Sequence, residues 1–484
     1  MFSGEKRKNF HNILHKTNVI CISIVLVMSI FGPINSFSVL GKHFSSAFYF
    51  AFLFLPLLFL EWVFSTKKTE STYRIFAFCL ITFFVLGFIS LINCILLSTT
   101  FVGYYSTTPL KVYLLNFLKY SFDFLAIVYL IFSISFLTKK YIETIVIVAS
   151  MLLVLIGLFQ LFVCLVNNQQ LNQIYDNINF LKVLGSSELM HLYGMQRIYL
   201  TASEPSANCT FVCCVCIPFL FFIAIKKDNL PIKRILAFII LVLLLPLIYF
   251  TRGISLYLCS ILSFVITFFC FISTMKNEHK KTIVFIVGIV VTIVLLILLF
   301  VTPFGKTLLQ SIVDKFLSKT NYSFQYRFSS IYNDILIFLK MPIFGCGDGF
   351  QGYFYTNNIV GTWMAQNPET INAIVGNTGL LAGGAFIPSY LSGFGIVGLI
   401  FLILYFKLTW RELRKSESYS KFAHKISIIM LVVVSSITIG FHYNIALYVV
   451  LILPYYQKET HCCVGVKEYF SKVKKGGLSF LLGI

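Results

Sequence analysis

The chain has 484 residues, of which 58% are hydrophobic and only 12% charged, and its formal net charge is +20. A soluble globular domain carries about 25% charged residues, so this composition excludes the soluble classes and predicts an all-α polytopic membrane protein. The positive charge is divided among many short loops rather than gathered on one face, which argues against nucleic acid as a partner.

Apolar runs long enough to cross a bilayer recur along the whole chain, and a helix needs about 20 residues to do so. They predict about twelve transmembrane helices in a single integral membrane domain, residues 1–484. The predicted spans are 18–40, 44–64, 74–98, 112–138, 141–166, 207–225, 233–250, 254–274, 281–301, 384–406, 426–441 and 443–457. The last two are short, which leaves open a single bent span or a re-entrant pair.

The distribution of positive residues predicts the orientation of these spans. Most of the 38 lysines and arginines fall in the two terminal segments and in alternate loops, all on one side of the membrane in this order of spans. Positively charged loops stay in the cytoplasm, so both termini are predicted to be cytoplasmic. The basic N-terminus leads into a long span without a small-residue cleavage pattern, which predicts a retained anchor rather than a cleaved signal peptide.

Four cysteines cluster at the start of the sixth predicted span: Cys209, Cys213, Cys214 and Cys216. Inside a span, cysteine behaves as a small apolar residue. No histidine or carboxylate accompanies these thiols at metal-ligand spacing, so packing is expected rather than a metal site.

Two predicted external loops, 167–206 and 302–383, are far longer than the others, and function concentrates in loops held by a rigid scaffold. The first contains His191, Arg197 and the run Glu204-Pro205-Ser206 just before a span. A carboxylate and a proline both suit the first turn of a helix, so Glu204 has two interpretations. It either caps that helix or serves as an active-site carboxylate beside Arg197.

Arg252 lies between two spans that are joined by almost no loop, on the side that positive charge tends to avoid. Such an arginine can simply extend toward the headgroups. Its fixed charge and its fork of donors also suit a phosphate or pyrophosphate, and this second interpretation is favoured.

The second long loop combines a helical pattern with a glycine-rich turn. Residues 324–340 alternate near helical period and predict an amphipathic helix on the bilayer, with Arg327 and Lys340 facing headgroups or substrate. The following Gly345-x-Gly347-x-Gly349 encloses Asp348. It indicates either a tight turn or a contact to pyrophosphate or glycan, and the spacing alone is weak support for a phosphate loop.

Together these motifs resemble the O-antigen polymerase family, within the wider O-antigen polymerase and ligase superfamily. The matching features are Arg197 with Glu204-Pro205-Ser206 before a span, Thr251-Arg252-Gly253 opening a span, Arg327 followed by Pro342-Ile343-Phe344-Gly345-Cys346-Gly347, and Gly395-Ile396-Val397-Gly398-Leu399 in a later span. The motifs cover residues 195–405, and their order and common side carry the resemblance.

The chain also departs from the pattern of this superfamily. The histidine-asparagine pair usual in ligases is missing, because the corresponding stretch 367–372 reads Asn-Pro-Glu-Thr-Ile-Asn. This argues against a ligase and leaves the general base unassigned. The paired Arg-x10-Gly pattern of some polymerases is absent too, since Asn208 and Phe338 stand at the glycine positions.

The resemblance implies a GT-C-like glycosyltransferase of the bacterial inner membrane. It would polymerise undecaprenyl-pyrophosphate-linked repeat units at the outer face, with a chain-length regulator and a flippase as candidate partners. Arg197, Arg252 and Arg327 would hold the departing pyrophosphate, and Gly345, Gly347 and Asp348 would be further substrate-binding residues for the pyrophosphate or the glycan. Glu204 would be the proton acceptor, with His191 and His442 as alternatives. Guanidinium groups can do this work without a metal, and no cofactor is expected.

Two other functions stay open. An O-antigen ligase is the nearest enzymatic alternative. A lipid-linked oligosaccharide flippase or transporter is the main alternative of another class, but such proteins usually show internal repeats and charges within their spans. No repeat is evident here, and a non-catalytic partner in envelope synthesis fits the sequence as well.

Overall fold

The computed structural model describes residues 4–31, 46–64, 67–100, 106–133, 136–137, 139–166, 170, 198–201, 208–226, 229–251, 253–275, 277–279, 281–286, 288–289, 301, 322–376, 384–415, 420–437 and 463–465. Within these ranges the architecture is helical. The N-terminal half contains α1 (Gly4–Met28), α2 (Ser46–Phe64), α3 (Glu70–Thr100), α4 (Pro109–Ser133) and α5 (Lys139–Val166). The middle contains α6 (Cys209–Phe211), a π-helical turn (Val212–Cys216), α7 (Ile217–Ile225), α8 (Pro231–Phe250) and α9 (Ile254–Thr274).

The C-terminal part contains the helices of the second long loop and two further apolar helices. They are α10 (Tyr322–Lys340), α11 (Gly352–Ile359), a 3-10 turn (Trp363–Gln366), α12 (Pro368–Gly376), α13 (Phe386–Lys415) and α14 (Ser420–Ile437). Two three-residue strands, β1 (Lys67–Thr69) and β2 (Cys463–Gly465), pair antiparallel. They tie the C-terminal segment to the connection between α2 and α3.

Six stretches within the described helices are long and apolar enough to cross a bilayer: Thr72–Thr100, Pro109–Ser133, Tyr141–Val166, Pro231–Phe250, Ser255–Thr274 and Phe386–Arg411. Each coincides with a predicted span. Three shorter apolar helices, Asn12–Met28, Ala47–Glu61 and Cys209–Ile225, overlap three more. The helical membrane class is therefore confirmed. The total of twelve stays a prediction. The span predicted at 426–441 overlaps α14, which is not among these candidate spans, and the spans predicted at 281–301 and 443–457 lie mostly or wholly outside the described residues.

The first helix differs from its predicted span of 18–40. It begins at Gly4, within the basic segment, and ends at Met28. Residues 29–31 continue as a turn in which the Ile30 amide donates to the Val27 carbonyl at 3.4 Å. The helix thus stops before the Gly32-Pro33 pair, a sequence that disfavours helical backbone.

Polar side chains inside the apolar helices bond mostly to their own helix. The Thr82 hydroxyl donates to the Phe78 carbonyl at 2.8 Å, and the Ser98 hydroxyl donates to the Cys94 carbonyl at 2.7 Å. Lipid offers no hydrogen-bond partners, so this local pairing removes the cost of placing a hydroxyl in a span.

The largest cluster of buried apolar side chains extends from α1, α2 and α4 through α5 to α7, α8 and α14, and it contains the predicted cysteine cluster. Cys209, Cys213, Cys214 and Cys216 are all fully buried among apolar side chains. The π-helical turn widens the backbone here. The Cys213 carbonyl accepts a 2.7 Å hydrogen bond from the Ser263 hydroxyl. The expectation that these cysteines pack is confirmed.

The helix predicted at 324–340 is also confirmed, as α10. It packs against α13, and α11 and α12 pack against α10 in turn. The described part of the second long loop is therefore a folded unit seated on the long helix α13.

Candidate functional site

Gln160 on α5 anchors the end of the first long loop. Its amide nitrogen donates to the Leu200 carbonyl at 2.7 Å, and its amide oxygen accepts from the backbone N–H groups of Tyr199 at 3.0 Å and Leu200 at 2.8 Å. Leu200 has a φ of 60°, in the left-handed region that a leucine rarely occupies. Gln160 is wholly buried, so one amide side chain holds three backbone groups and a strained residue in place.

The short segment that contains Glu204 is closed at its base. The Thr201 hydroxyl donates to the Asn208 side-chain oxygen at 2.9 Å, and the Asn208 amide donates to the Tyr199 carbonyl at 2.9 Å. Thr201 and Asn208 are both buried. Glu204 itself lies outside the described residues, but the two ends of its six-residue connection are bonded to each other.

A backbone hydrogen bond joins the segments that carry two of the predicted arginines. The Ile198 amide donates to the Phe250 carbonyl at 3.3 Å. Ile198 directly follows Arg197 in the chain, and Phe250 stands two residues before Arg252. Arg197, Arg252 and His191 are themselves outside the described residues, so their predicted roles stay predictions.

The residues flanking Arg252 have clear structural roles. The Thr251 hydroxyl donates to the Ile248 carbonyl at 2.6 Å and accepts from the Gly253 amide at 3.3 Å. Thr251 thereby ends α8, and Gly253 directly precedes α9. The two residues that flank Arg252 are thus held in place, Thr251 at the end of α8 and Gly253 directly before α9.

The glycine turn after α10 interlocks with a break in α13. The Cys346 and Gly347 amides donate to the Ser392 and Gly393 carbonyls at 2.8 and 2.9 Å. A Cβ atom on Gly345, whose φ is +64°, would lie 2.4 Å from the Ser392 oxygen. These glycines therefore form a tight turn, which was one of the two interpretations of the motif.

The other half of this interlock involves Gly395. Its φ of 59° interrupts α13, and a Cβ atom there would lie 2.5 Å from the Pro342 oxygen. The Ile396 amide donates to that same oxygen at 2.7 Å. The amides of Gly345 and Gly347 likewise donate to backbone carbonyls. The predicted contact of these two glycines with pyrophosphate or glycan stays a prediction.

The glycine turn places Asp348 in contact with α4. The Tyr120 hydroxyl donates to a carboxylate oxygen of Asp348, and the Asn116 amide donates to the Asp348 carbonyl at 3.3 Å. The Asp348 amide in turn donates to the Ser90 hydroxyl of α3 at 3.4 Å. A residue predicted to bind substrate in an external loop therefore lies against the middle of two apolar helices.

A second carboxylate, Asp334 of α10, is buried under the turn. Only 1% of its surface is exposed, and the Ser392 hydroxyl donates to its Oδ1 at 3.0 Å. Its Oδ2 has no hydrogen-bond partner among the described residues. Burial is the main reason that the pKa of Asp334 is raised to about 8, and the neighbouring Asp348 carboxylate adds to the effect.

The two predicted cations of α10 lie in different surroundings. The Lys340 ammonium donates to the Asn358 side-chain oxygen at 2.6 Å, and Asn358 in turn donates to Asn333 at 2.9 Å. Arg327 is partly exposed, and its backbone carbonyl would lie 2.3 Å from a Cβ on Gly384. The predicted binding of Arg327 and Lys340 to headgroups or substrate stays a prediction.

Sequence reasoning missed Gln160, Asp334 and the pair Lys119 and Asp123. A signal existed for the last two, because both fall inside the predicted span 112–138, where ionisable residues are costly and mark functional sites. Gln160 and Asp334 gave no such signal, since their importance comes from distant partners.

The fold defines a helical membrane protein in which residues 322–376 form a folded unit packed against the long apolar helix α13. No family model matches the chain, and no curated protein matches it. Within the described residues, no group of three or more His, Cys, Asp or Glu side chains is arranged to hold a metal ion.

Proposed function

We propose that this protein is a GT-C-like membrane glycosyltransferase that polymerises undecaprenyl-pyrophosphate-linked oligosaccharide units at the outer face of the bacterial inner membrane. The observation that carries the proposal is the hydrogen bond from Ile198 to Phe250. It ties the segment after Arg197 to the segment before Arg252. The segments next to two arginines that lie 55 positions apart in the sequence are thereby hydrogen-bonded to each other.

The chemistry suits such a site. A hydroxyl of the incoming unit attacks the anomeric carbon of the growing chain, the bond from that carbon to the pyrophosphate oxygen breaks, and the lipid pyrophosphate leaves. The hydroxyl proton passes to a base, for which Glu204 is the candidate. The guanidinium groups of Arg197 and Arg252 are the candidates to stabilise the charge that develops on the leaving group. The hydrogen bond between Thr201 and Asn208 joins the two residues that flank the segment 202–207, in which this candidate base lies.

The test is the substitution Arg252→Lys. Lysine keeps the charge but cannot form the paired hydrogen bonds of a guanidinium with pyrophosphate. Losing one charge-assisted bond of about 1.5–3 kcal/mol predicts an elongation rate lower by about tenfold to a hundredfold. The exposed Arg411→Lys is the matched control and should elongate normally.

The assay uses the full chain in proteoliposomes with a labelled undecaprenyl-pyrophosphate oligosaccharide. A ladder of longer glycans that collapses in Arg252→Lys supports the proposal. An unchanged ladder in that variant refutes the role of Arg252. A product formed only when a lipid acceptor is added would indicate a ligase, and movement of the label without a new glycosidic bond would indicate a flippase.

A further inference from the structure

A cavity of about 220 Å³ lies between α3, α4 and α13. Engineered apolar cavities of about 150 Å³ already bind benzene, so this one can hold an aromatic or aliphatic group. More than half of the residues that line it are aromatic, including Phe83, Phe117, Phe124, Tyr390 and Phe394. The cavity is therefore a site for a hydrophobic group.

Two carboxylates line the same cavity. Asp348 reaches it from the glycine turn, and Asp123 belongs to α4. Asp123 is only 6% exposed, and its Oδ1 has no hydrogen-bond partner among the described residues. A buried carboxylate oxygen without a donor is costly, so this atom points to a donor that a bound molecule would supply.

One basic side chain lies near the two aspartates. Lys119 interacts electrostatically with both Asp348 and Asp123, and it precedes Asp123 by one helical turn. Lys119 is not among the residues that line the cavity. Asp123 and Asp348 are therefore the acidic side chains that line this mainly aromatic cavity, and no lysine or arginine is among the described residues that line it.

We propose that this cavity binds an amphiphile with a protonated amine head, whose ammonium lies between Asp123 and Asp348 and whose alkyl chain lies among the aromatic rings. Ammonium groups donate strong hydrogen bonds to carboxylates, and aromatic faces attract cations. A phosphate head would be repelled by the same carboxylates. The proposal uses none of the arginines of the proposed lipid-pyrophosphate site and does not depend on that function, and it assigns Asp348 to the amine instead of to the pyrophosphate or glycan.

The experiment measures binding of dodecylamine, dodecanol and dodecyl phosphate to the full chain in lipid nanodiscs. A charge-assisted hydrogen bond contributes about 1.5–3 kcal/mol, so dodecylamine should bind at least about tenfold more tightly than dodecanol, with dodecyl phosphate weakest. Asp123→Asn should weaken dodecylamine binding about tenfold and change dodecanol binding little. Glu278→Gln, at a largely exposed carboxylate, is the control and should change neither.

A second variant keeps the test decisive if Asp123→Asn fails to fold. Gly87 lines the cavity, and a Cβ atom there meets only Phe117, at 3.8 Å. Gly87→Leu should fill the cavity and abolish binding of all three probes. The proposal is overturned if dodecyl phosphate binds as tightly as dodecylamine, or if a folded Gly87→Leu protein binds dodecylamine normally.

Discussion

Replacing Gln160 by methionine tests whether one buried amide positions the segment beside Arg197. Methionine has a similar volume but cannot make the three hydrogen bonds to Tyr199 and Leu200. Each buried backbone group left without a partner costs about 1–3 kcal/mol, which sums to at least about 3 kcal/mol. Leu200 would also be free to leave its left-handed conformation, whose cost of about 1–2 kcal/mol favours release.

The segment should therefore open far more often in Gln160→Met. A loss of about 3 kcal/mol in local stability corresponds to amide exchange about a hundredfold faster. Hydrogen exchange followed by mass spectrometry can read this in peptides that cover 198–201. Under the proposed function, glycan elongation should fall as well, because the segment that bears Arg197 loses its anchor.

The matched control is Gln366→Met, since Gln366 is an exposed glutamine in the second long loop. It should leave exchange at 198–201 unchanged. Unchanged exchange in a folded Gln160→Met protein would refute the anchoring role. Faster exchange with normal elongation would keep the anchor and remove its link to function.

Two further predictions concern the glycine turn and the buried carboxylate. Gly345→Ala should lower the unfolding temperature by several degrees, because the new Cβ atom would lie 2.4 Å from the Ser392 oxygen at a φ of +64°. The control Gly376→Ala should leave it unchanged, because a Cβ atom there meets no atom within 4 Å. Equal unfolding temperatures of the two variants would contradict the interlock. Asp334 binds its proton more tightly in the folded than in the unfolded protein, because folding raises its pKa from 3.8 to about 8. The free energy of unfolding should therefore fall as pH rises from about 4 to about 8, and Asp334→Asn should reduce this pH dependence in thermal unfolding. An equal pH dependence in both proteins would contradict the raised pKa.

The class of the protein and several helix positions could be read from the amino-acid sequence. The span predicted at 74–98 lies within α3, and the helix predicted at 324–340 is α10. Both depend on local patterns, apolar length in one case and helical period in the other. The end of α1 at Met28 was missed, because the span was drawn through the Gly32-Pro33 pair on apolar length alone, although this pair disfavours helical backbone.

The sequence by itself also selected the segments around Arg197, Glu204, Arg252 and the glycine turn as places where polar chemistry interrupts apolar spans. What those segments touch was decided only by the tertiary structure. Gln160 bonds to residues 40 positions away, and Tyr120 bonds to Asp348 across 228 positions. Such partners leave no local period or spacing, because burial and hydrogen bonding between distant segments arise only when the helices pack. For that reason the sequence by itself determined a helical membrane protein with polar segments between its apolar helices. The packed fold decided which carboxylates became buried and which backbone segments bond to each other.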